Sequence, residues 1–192
     1  MQFLIGKGEE RDSRDVKKPK GIRLVDWDNL EIGLHLREGE VNEASVVSGF
    51  DNLTRKISRE VGEIIETFVF LPPQAAFIWG GTLDRLGFNL VFCSKMKSKD
   101  KKEKEEIDTV DAKLIRLGQK LIDNIRDLSF LCLVSGDSDF SLFIREAMGR
   151  GLKIIVVAAS VDSLAGELIE LADKTYLFEP AKNKLPAGIS EE

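Results

Sequence analysis

The chain has 192 residues, 43% of them hydrophobic, which is enough for one domain with a sizeable core. Its net charge of −5 disfavours a protein that binds nucleic acid tightly through charge alone, because such proteins are usually basic. No apolar run approaches the ~18–20 residues needed to cross a bilayer, and the charged amino terminus is unlike a secretory signal, so we expect a cytoplasmic protein.

The chain alternates continuous apolar runs with amphipathic stretches. Residues 1–20 are predicted to be a flexible leader, 21–180 a globular domain, and 181–192 a disordered tail. The segment between the first strand and residue 46 is predicted to be a polar loop. Helices are predicted over 46–61, 74–86, 107–126, 139–148 and 162–172. The predicted strands are Ile22–Asp26, Ile64–Leu71, Asn89–Cys93, Phe130–Val134, Leu152–Ala158 and Thr175–Phe178.

This alternation predicts an α/β fold in three layers, with a mainly parallel sheet of about five or six strands and helices on both faces. Ligands of such sheets bind beyond the carboxyl ends of the strands, where the strand order reverses. If the first and fourth strands are neighbours across that point, Asp26 and Asp137 converge there.

Acidic residues follow two of the buried strands. The run FLCLVSGDSDF ends in Asp137 and Asp139, and the first strand ends in Asp26-Trp27-Asp28-Asn29. Hard cations such as Mg²⁺ take carboxylate oxygens as ligands, so the pattern indicates a divalent-metal site. The alternative is that these acids cap helices and begin turns. Two clusters of matching form favour the metal site.

Two further acids are candidates for the same site. Asp111 falls on the margin of the apolar stripe of the helix predicted at 107–126. A carboxylate at this position is either a half-exposed surface acid or a desolvated acid with a functional role. Asp173 lies near a helix C-terminus, where the macrodipole disfavours an acid, so we expect a compensating cation or metal beside it.

Other conspicuous residues are interpreted as structural. Cys93 and Cys132 are predicted to be small core residues, since their spacing fits no zinc pattern. Trp27 is predicted to pack in the core, and the single histidine, His35, is predicted to be a non-catalytic loop residue. A dense basic stretch could bind an RNA backbone or form a solvated face between acids. Its lysines are Lys95, Lys97, Lys99, Lys101, Lys102 and Lys104.

The motifs VDWDNL, VDAKLI, LVSGDSDF, GLKIIVV and DSLAGELIELAD, in this order, resemble the NYN domains, a branch of the PIN-like ribonuclease superfamily. The resemblance covers about residues 21–180. It implies a parallel sheet flanked by helices, with an acidic Mg²⁺ or Mn²⁺ site that hydrolyses RNA.

By motif, the resemblance assigns Asp26 and Asn29 to the D-x-x-N element, Asp111 to the helix acid and Asp137 and Asp139 to the SGDSDF acids. The metal ligands would be Asp26, Asp137 and Asp139, and Asp173 would be peripheral. Asp28 is an extra acid in this chain, which leaves open whether Asp26 or Asp28 leads the site. Ser135 and Ser138 either hydrogen-bond a phosphate oxygen or serve the turn and cap.

Three functions are compatible with these residues. The first is a metal-dependent ribonuclease acting on single-stranded RNA, with Asp26, Asp111, Asp137 and Asp139 catalytic. The second is a non-catalytic PIN-like module that binds RNA or protein. The third, a receiver-like phosphoacceptor, is disfavoured because no lysine follows the strand Leu152–Ala158. The RNA sequence, the number of metals and the oligomeric state, including a homo-oligomer, are left open.

Overall fold

The computed structural model describes residues 17–94, 96–97, 106–107 and 109–180. Most of the predicted leader, the whole of the predicted tail and nearly all of the lysine-rich stretch lie outside these ranges. Within them, no helix has the length and apolar character needed to cross a membrane.

The described residues form eight strands, six α-helices and one 3₁₀ helix. The strands are β1 (Lys20–Asp26), β2 (Glu63–Leu71), β3 (Asn89–Phe92), β4 (Met96–Lys97), β5 (Glu106–Ile107), β6 (Leu128–Val134), β7 (Lys153–Ala158) and β8 (Lys174–Leu177). The helices are α1 (Trp27–Glu38), α2 (Glu43–Glu60), α3 (Pro73–Arg85), α4 (Val110–Asn124), α5 (Ser141–Gly149) and α6 (Gly166–Leu171), with the 3₁₀ helix at Ser138–Phe140.

Six of these strands form one sheet in the order β3-β2-β1-β6-β7-β8, and every neighbouring pair is parallel. Strands β4 and β5 form a separate antiparallel pair. The chain builds the sheet outward from β1 through β2 to β3, then returns to the other side of β1 with β6. The order therefore reverses between β1 and β6, so the predicted three-layer α/β fold and the predicted pairing of these strands are confirmed.

The core lies on both faces of the sheet, because successive side chains of a strand point in opposite directions. In β1, Ile22 and Leu24 pack in the layer formed with α4, α5 and α6. Val25 packs in the layer formed with α1, α2 and α3. Most side chains at the centre of the sheet are apolar on both faces, with buried Arg23 of β1 and Thr67 of β2 as exceptions.

Helix α1 replaces the predicted polar loop, and that prediction was wrong. Trp27, Leu30 and Leu34 face the core, whereas Ile32 and Leu36 are exposed. Because apolar residues lie on two faces of this helix, they form no single apolar stripe with helical spacing. The sequence pattern therefore does not predict a helix here. Trp27 is fully buried as predicted, but as the first residue of a helix.

The last helix is shorter than predicted, because a turn precedes it. The side chains of Ser160 and Ser163 accept hydrogen bonds from each other's backbone N–H, at 3.2 and 3.1 Å. This local pairing competes with helix formation. Helix α6 therefore begins only at Gly166.

Candidate active site

Asp26 lies at the carboxyl end of β1 and caps the amino terminus of α1. Because β1 is a central strand between β2 and β6, the side chain is only 5% exposed. Its Oδ1 accepts a hydrogen bond from the backbone N–H of Asn29 at 3.3 Å. Its Oδ2 accepts one from the hydroxyl of Ser135 at 3.1 Å.

The loop after β6 is joined to the start of α1 by side-chain hydrogen bonds. The Asn29 carbonyl oxygen Oδ1 accepts from the backbone N–H of Gly136 at 2.9 Å. The buried Ser135 hydroxyl, which donates to Asp26, also accepts from the backbone N–H of Asp137 at 3.2 Å. The two acidic motifs are therefore one hydrogen-bonded unit at the point where the strand order reverses.

Asp137 is the N-cap residue of the 3₁₀ helix, and its Oδ1 accepts a hydrogen bond from the backbone N–H of Asp139 at 3.0 Å. Asp137 is half-buried, and Ser138 and Asp139 are exposed. The capping interpretation is thus correct for Asp26 and Asp137, yet capping uses one oxygen of each carboxylate. Within the described residues, Oδ2 of Asp137 accepts no hydrogen bond, so this oxygen is available as a ligand.

Burial raises the pKa of the Asp26 carboxyl from 3.8 to about 7. The negative charges of Asp111 and Asp28 raise this pKa further, while the hydrogen bonds from Asn29 and Ser135 lower it. Asp28 and Asp111 are half-buried in the first turns of α1 and α4, and α4 packs against β1 and the 3₁₀ helix. Repulsion between these carboxylates makes the site attractive to a proton or a cation.

Asp173 does not join this cluster. It is exposed, and its Oδ2 accepts from the backbone N–H of Ile154 at 2.7 Å. Ile154 lies at the beginning of β7, so Asp173 is at the amino ends of the strands, opposite Asp26. Where a compensating cation or metal was expected beside this acid, the structure has the backbone amide of Ile154, and it places Asp173 apart from the other acids.

His35 lies in the last turn of α1, and its Nδ1 is 2.9 Å from the carbonyl oxygen of Gly39. The histidine is exposed and lies at a helix end, not in the predicted loop. Its non-catalytic role stays a prediction.

The donor chemistry of the site fits a hard divalent cation. The Asp26 carboxylate is linked through the Ser135 hydroxyl to the backbone N–H of Asp137, and the charges of Asp28 and Asp111 act on Asp26. However, among residues 17–94 and 109–180 no three acidic, histidine or cysteine side chains are placed together as a ready-made metal cluster. The predicted ligands Asp26, Asp137 and Asp139 would therefore have to reorient around an ion.

Two supports of the site were missed in the sequence. The carbonyl of Gly136 accepts from the backbone N–H of Ala165 at 3.0 Å, and a Cβ at Gly136 would overlap the Ser163 carbonyl. Glu31 accepts from the indole N–H of Trp27 at 2.8 Å and of Trp79 at 2.7 Å. These contacts hold the loop after β6 and the start of α1 in place. Except for the bond between Trp27 and Glu31 within α1, each joins residues far apart in the chain, for which a single sequence carries no signal.

The family model of the NYN domain matches residues 24–179, which include every element that builds this site. The chain belongs to the NYN domain family. NYN domains are PIN-like and nuclease-like, so the resemblance of the motifs and the fold class are both confirmed. No curated protein sequence matches the chain.

A solved structure supports the fold. A protein of unknown function from Vibrio parahaemolyticus superposes with a TM-score of 0.65 at 18% identity, and the match covers 86% of this NYN chain and 96% of the Vibrio chain. Two further matches have low scores. A homoserine dehydrogenase from S. aureus (TM-score 0.35, 12% identity) is matched over 84% of this chain and 33% of its own. A nicotinamidase from Staphylococcus aureus (TM-score 0.35, 13% identity) is matched over 80% of this chain and 91% of its own. At these scores neither carries an argument about fold or function.

We expect Asn29→Ala to loosen this NYN site without unfolding the domain. The variant loses the bond between Asn29 and the Gly136 amide, at a cost of about 1–2 kcal/mol in the free energy of unfolding. Hydrogen exchange of the Gly136 amide should accelerate, while Asn29→Asp, which keeps an acceptor, should preserve its protection. Urea unfolding and amide exchange measure both effects.

The matched control is Asn124→Ala, an exposed asparagine whose amide donates to the Lys120 carbonyl at the end of α4. It should leave the exchange of the Gly136 amide unchanged. Equal protection of Gly136 in wild type and Asn29→Ala would contradict the assigned bond.

Proposed function

We propose that this NYN domain is a metal-dependent ribonuclease that hydrolyses phosphodiester bonds of single-stranded RNA with Mg²⁺ or Mn²⁺. The observation that carries the proposal is the buried, cation-attracting Asp26 carboxylate, linked through Ser135 to the SGDSDF loop at the reversal of strand order. Membership of a nuclease-like family supports the same reaction class.

In this proposal Asp26, Asp137 and Asp139 hold the cation, and Asp111 completes the catalytic acids. When bound, the cation neutralises charge on the phosphate and lowers the pKa of a coordinated water. Asn29 and Ser135 position the acids through the bonds described above. Asp28 adds negative charge, and Ser138, exposed beside Asp137, would contact a phosphate oxygen.

The second candidate is a non-catalytic module that binds RNA or a protein. It is favoured by the absence of a ready-made three-ligand cluster in the described part of the chain. The net charge of −5 counts against an RNA-binding module and less against a metal-dependent nuclease, whose site is expected to be acidic. Contacts of RNA with the lysines between Lys95 and Lys104, and a homo-oligomeric state, stay predictions.

We also place the protein in a reducing compartment, the cytoplasm. Among the described residues, neither Cys93 nor Cys132 forms a disulfide, and both are buried. Burial raises the pKa of the Cys132 thiol to about 12, which keeps it protonated and unreactive.

The proposal is tested by incubating the purified chain with a labelled single-stranded RNA, with Mg²⁺, Mn²⁺ or EDTA. We expect cleavage that EDTA abolishes and that Asp137→Asn lowers roughly 100-fold or more, because a metal ligand is lost. Asp173→Asn is the matched control, since this acid lies at the opposite edge of the sheet and should leave cleavage unchanged.

Cleavage that persists in EDTA, or an equal loss in both variants, would contradict the metal site. If RNA binds without being cut in Mn²⁺, the non-catalytic module is the correct function.

A further inference from the structure

Arg23 is a buried cation that the acidic site does not use. It lies in β1, and its side chain is directed away from the layer that contains Ile22 and Leu24, toward α2. Only 2% of the residue is exposed. A position of this kind in a central strand is normally apolar, because burying a charge is costly unless it is paired.

The partners of Arg23 are all neutral. Its Nε donates to the Thr67 hydroxyl at 3.1 Å, and its Nη1 donates to the Thr54 hydroxyl at 3.0 Å. The guanidinium carbon is 5.0 Å from the ring centroid of Phe50 and 4.9 Å from that of Phe88. Hydroxyls and aromatic faces orient a guanidinium, but they do not neutralise its charge.

No described acid forms an ion pair with Arg23. Its neighbour on β6, Cys132, is a neutral thiol at physiological pH because burial raises its pKa to about 12. Burial lowers the pKa of Arg23 to about 10, so the guanidinium is still charged at neutral pH. The site therefore contains a fixed positive charge without a counter-ion among the described residues.

Arg23 opens into a cavity of about 270 Å³, which Phe50, Thr54, Thr67 and Phe88 also line. Its third nitrogen, Nη2, donates no hydrogen bond within the described residues. Among the described residues, every fully buried side-chain nitrogen or oxygen has a hydrogen-bond partner. Because Nη2 has no such partner, it is not fully buried. It is therefore exposed to the cavity that Arg23 lines, where a ligand can accept its hydrogen bonds.

The cavity is separate from the acidic site. It is lined by the beginning of β2 at Ile64 and by Gly87, just before β3, so it lies toward the amino ends of the strands. Asp26 lies at the carboxyl end of β1. Exposed Asp51 and Glu66 also line the cavity, and Glu66 accepts from the Asn89 amide at 2.7 Å. These two carboxylates repel a doubly charged phosphate more strongly than a singly charged carboxylate.

We propose that this cavity binds a small organic monocarboxylate, which pairs with Arg23 and rests its apolar body against Phe50 and Phe88. Guanidinium and carboxylate match in geometry and form strong, charge-assisted hydrogen bonds. The volume is just below the usual range of ligand pockets, ~300–1,000 Å³, so the ligand is small. The inference does not depend on the proposed ribonuclease activity.

The test uses three aromatic probes of similar shape: benzoate, its neutral counterpart benzamide, and phenyl phosphate. Calorimetry should show benzoate binding about tenfold more tightly than benzamide, because one charge-assisted pair is gained, with phenyl phosphate weaker than benzoate. Amide chemical shifts should change most at Gly87 and Phe88, which line the cavity. Asp137→Asn should leave benzoate binding unchanged, whatever it does to RNA cleavage.

Arg23→Met should abolish the preference for benzoate over benzamide. Thr54→Ile provides the test if Arg23→Met does not fold, because Thr54 is a half-buried residue of α2. This variant removes a hydrogen-bond partner of Arg23 and narrows the cavity, so it should weaken benzoate binding. Arg59→Met, in the same helix but 77% exposed at its side chain, is the control and should bind benzoate normally. Equal binding of benzoate and benzamide, or tighter binding of phenyl phosphate, would overturn the proposal.

Discussion

Asp26→Asn should make the domain more stable at pH 8 while it abolishes RNA cleavage. The pKa of Asp26 is about 7 in the folded chain against an ordinary value of 3.8, so the native state binds a proton more tightly than the unfolded state does. The resulting stabilisation is present at low pH and is lost as the pH rises from about 4 to about 7. Above about pH 7, the buried Asp26 carboxylate of the folded domain is ionised, and the charges of Asp28 and Asp111 repel it.

Asparagine removes this charge and still caps α1, because its side-chain oxygen can accept from the backbone N–H of Asn29. The free energy of unfolding at pH 8 should increase by up to about 4 kcal/mol. This value is the rise in the pKa of Asp26, from 3.8 to about 7, converted into free energy. Urea unfolding at intervals between pH 4 and pH 8 measures it. The difference between variant and wild type should grow through this range and then level off.

Asp84→Asn, at an exposed position of α3, is the control and should change stability by less than about 0.5 kcal/mol at every pH. Millimolar Mn²⁺ should raise the melting temperature of the wild type, because an ion that binds the folded state alone stabilises it. Asp26→Asn should lose this shift. A stability gap that does not vary with pH would contradict the raised pKa of Asp26.

Gly136→Ala should disrupt the candidate site more than any single loss of a hydrogen bond. The backbone of Ser163 and Leu164 occupies the space that a Cβ at Gly136 would need. Backbone cannot rotate away as a flexible side chain can, so the loop after β6 or the turn before α6 must move. Overpacking typically costs about 1–3 kcal/mol, and contact with backbone places Gly136→Ala at the upper end of this range. The shift should also displace Asp137 and abolish cleavage.

Gly149→Ala is the matched control. Gly149 ends α5 with open space around its Cβ position, and alanine in a helix is favoured over glycine by about 0.5–1 kcal/mol. Urea unfolding and the RNA assay should therefore separate the two variants clearly. Normal stability and cleavage in Gly136→Ala would show that the turn before α6 does not restrain the site.

The fold class could be predicted from local pattern because buried parallel strands and amphipathic helices each leave a periodic signal. The strands at Phe130–Val134 and Leu152–Ala158 were recognised within a few residues of their structural limits. Parallel order, together with acids at the ends of two strands, was sufficient to predict that Asp26 and the SGDSDF loop would lie at the carboxyl ends of neighbouring strands. Helix α1 was missed because its apolar residues lie on two faces, so no single stripe marks it.

By itself, then, the sequence determined the layers, the central strands and the acids at their carboxyl ends, because hydrophobic periodicity and helix capping are local properties of the chain. Only the tertiary structure decided which distant groups meet. It turned Asp173 toward the amide of Ile154, left Arg23 without a counter-ion and brought Ser163 against Gly136. Such pairings depend on packing between segments remote in the chain, and no spacing within one segment records them.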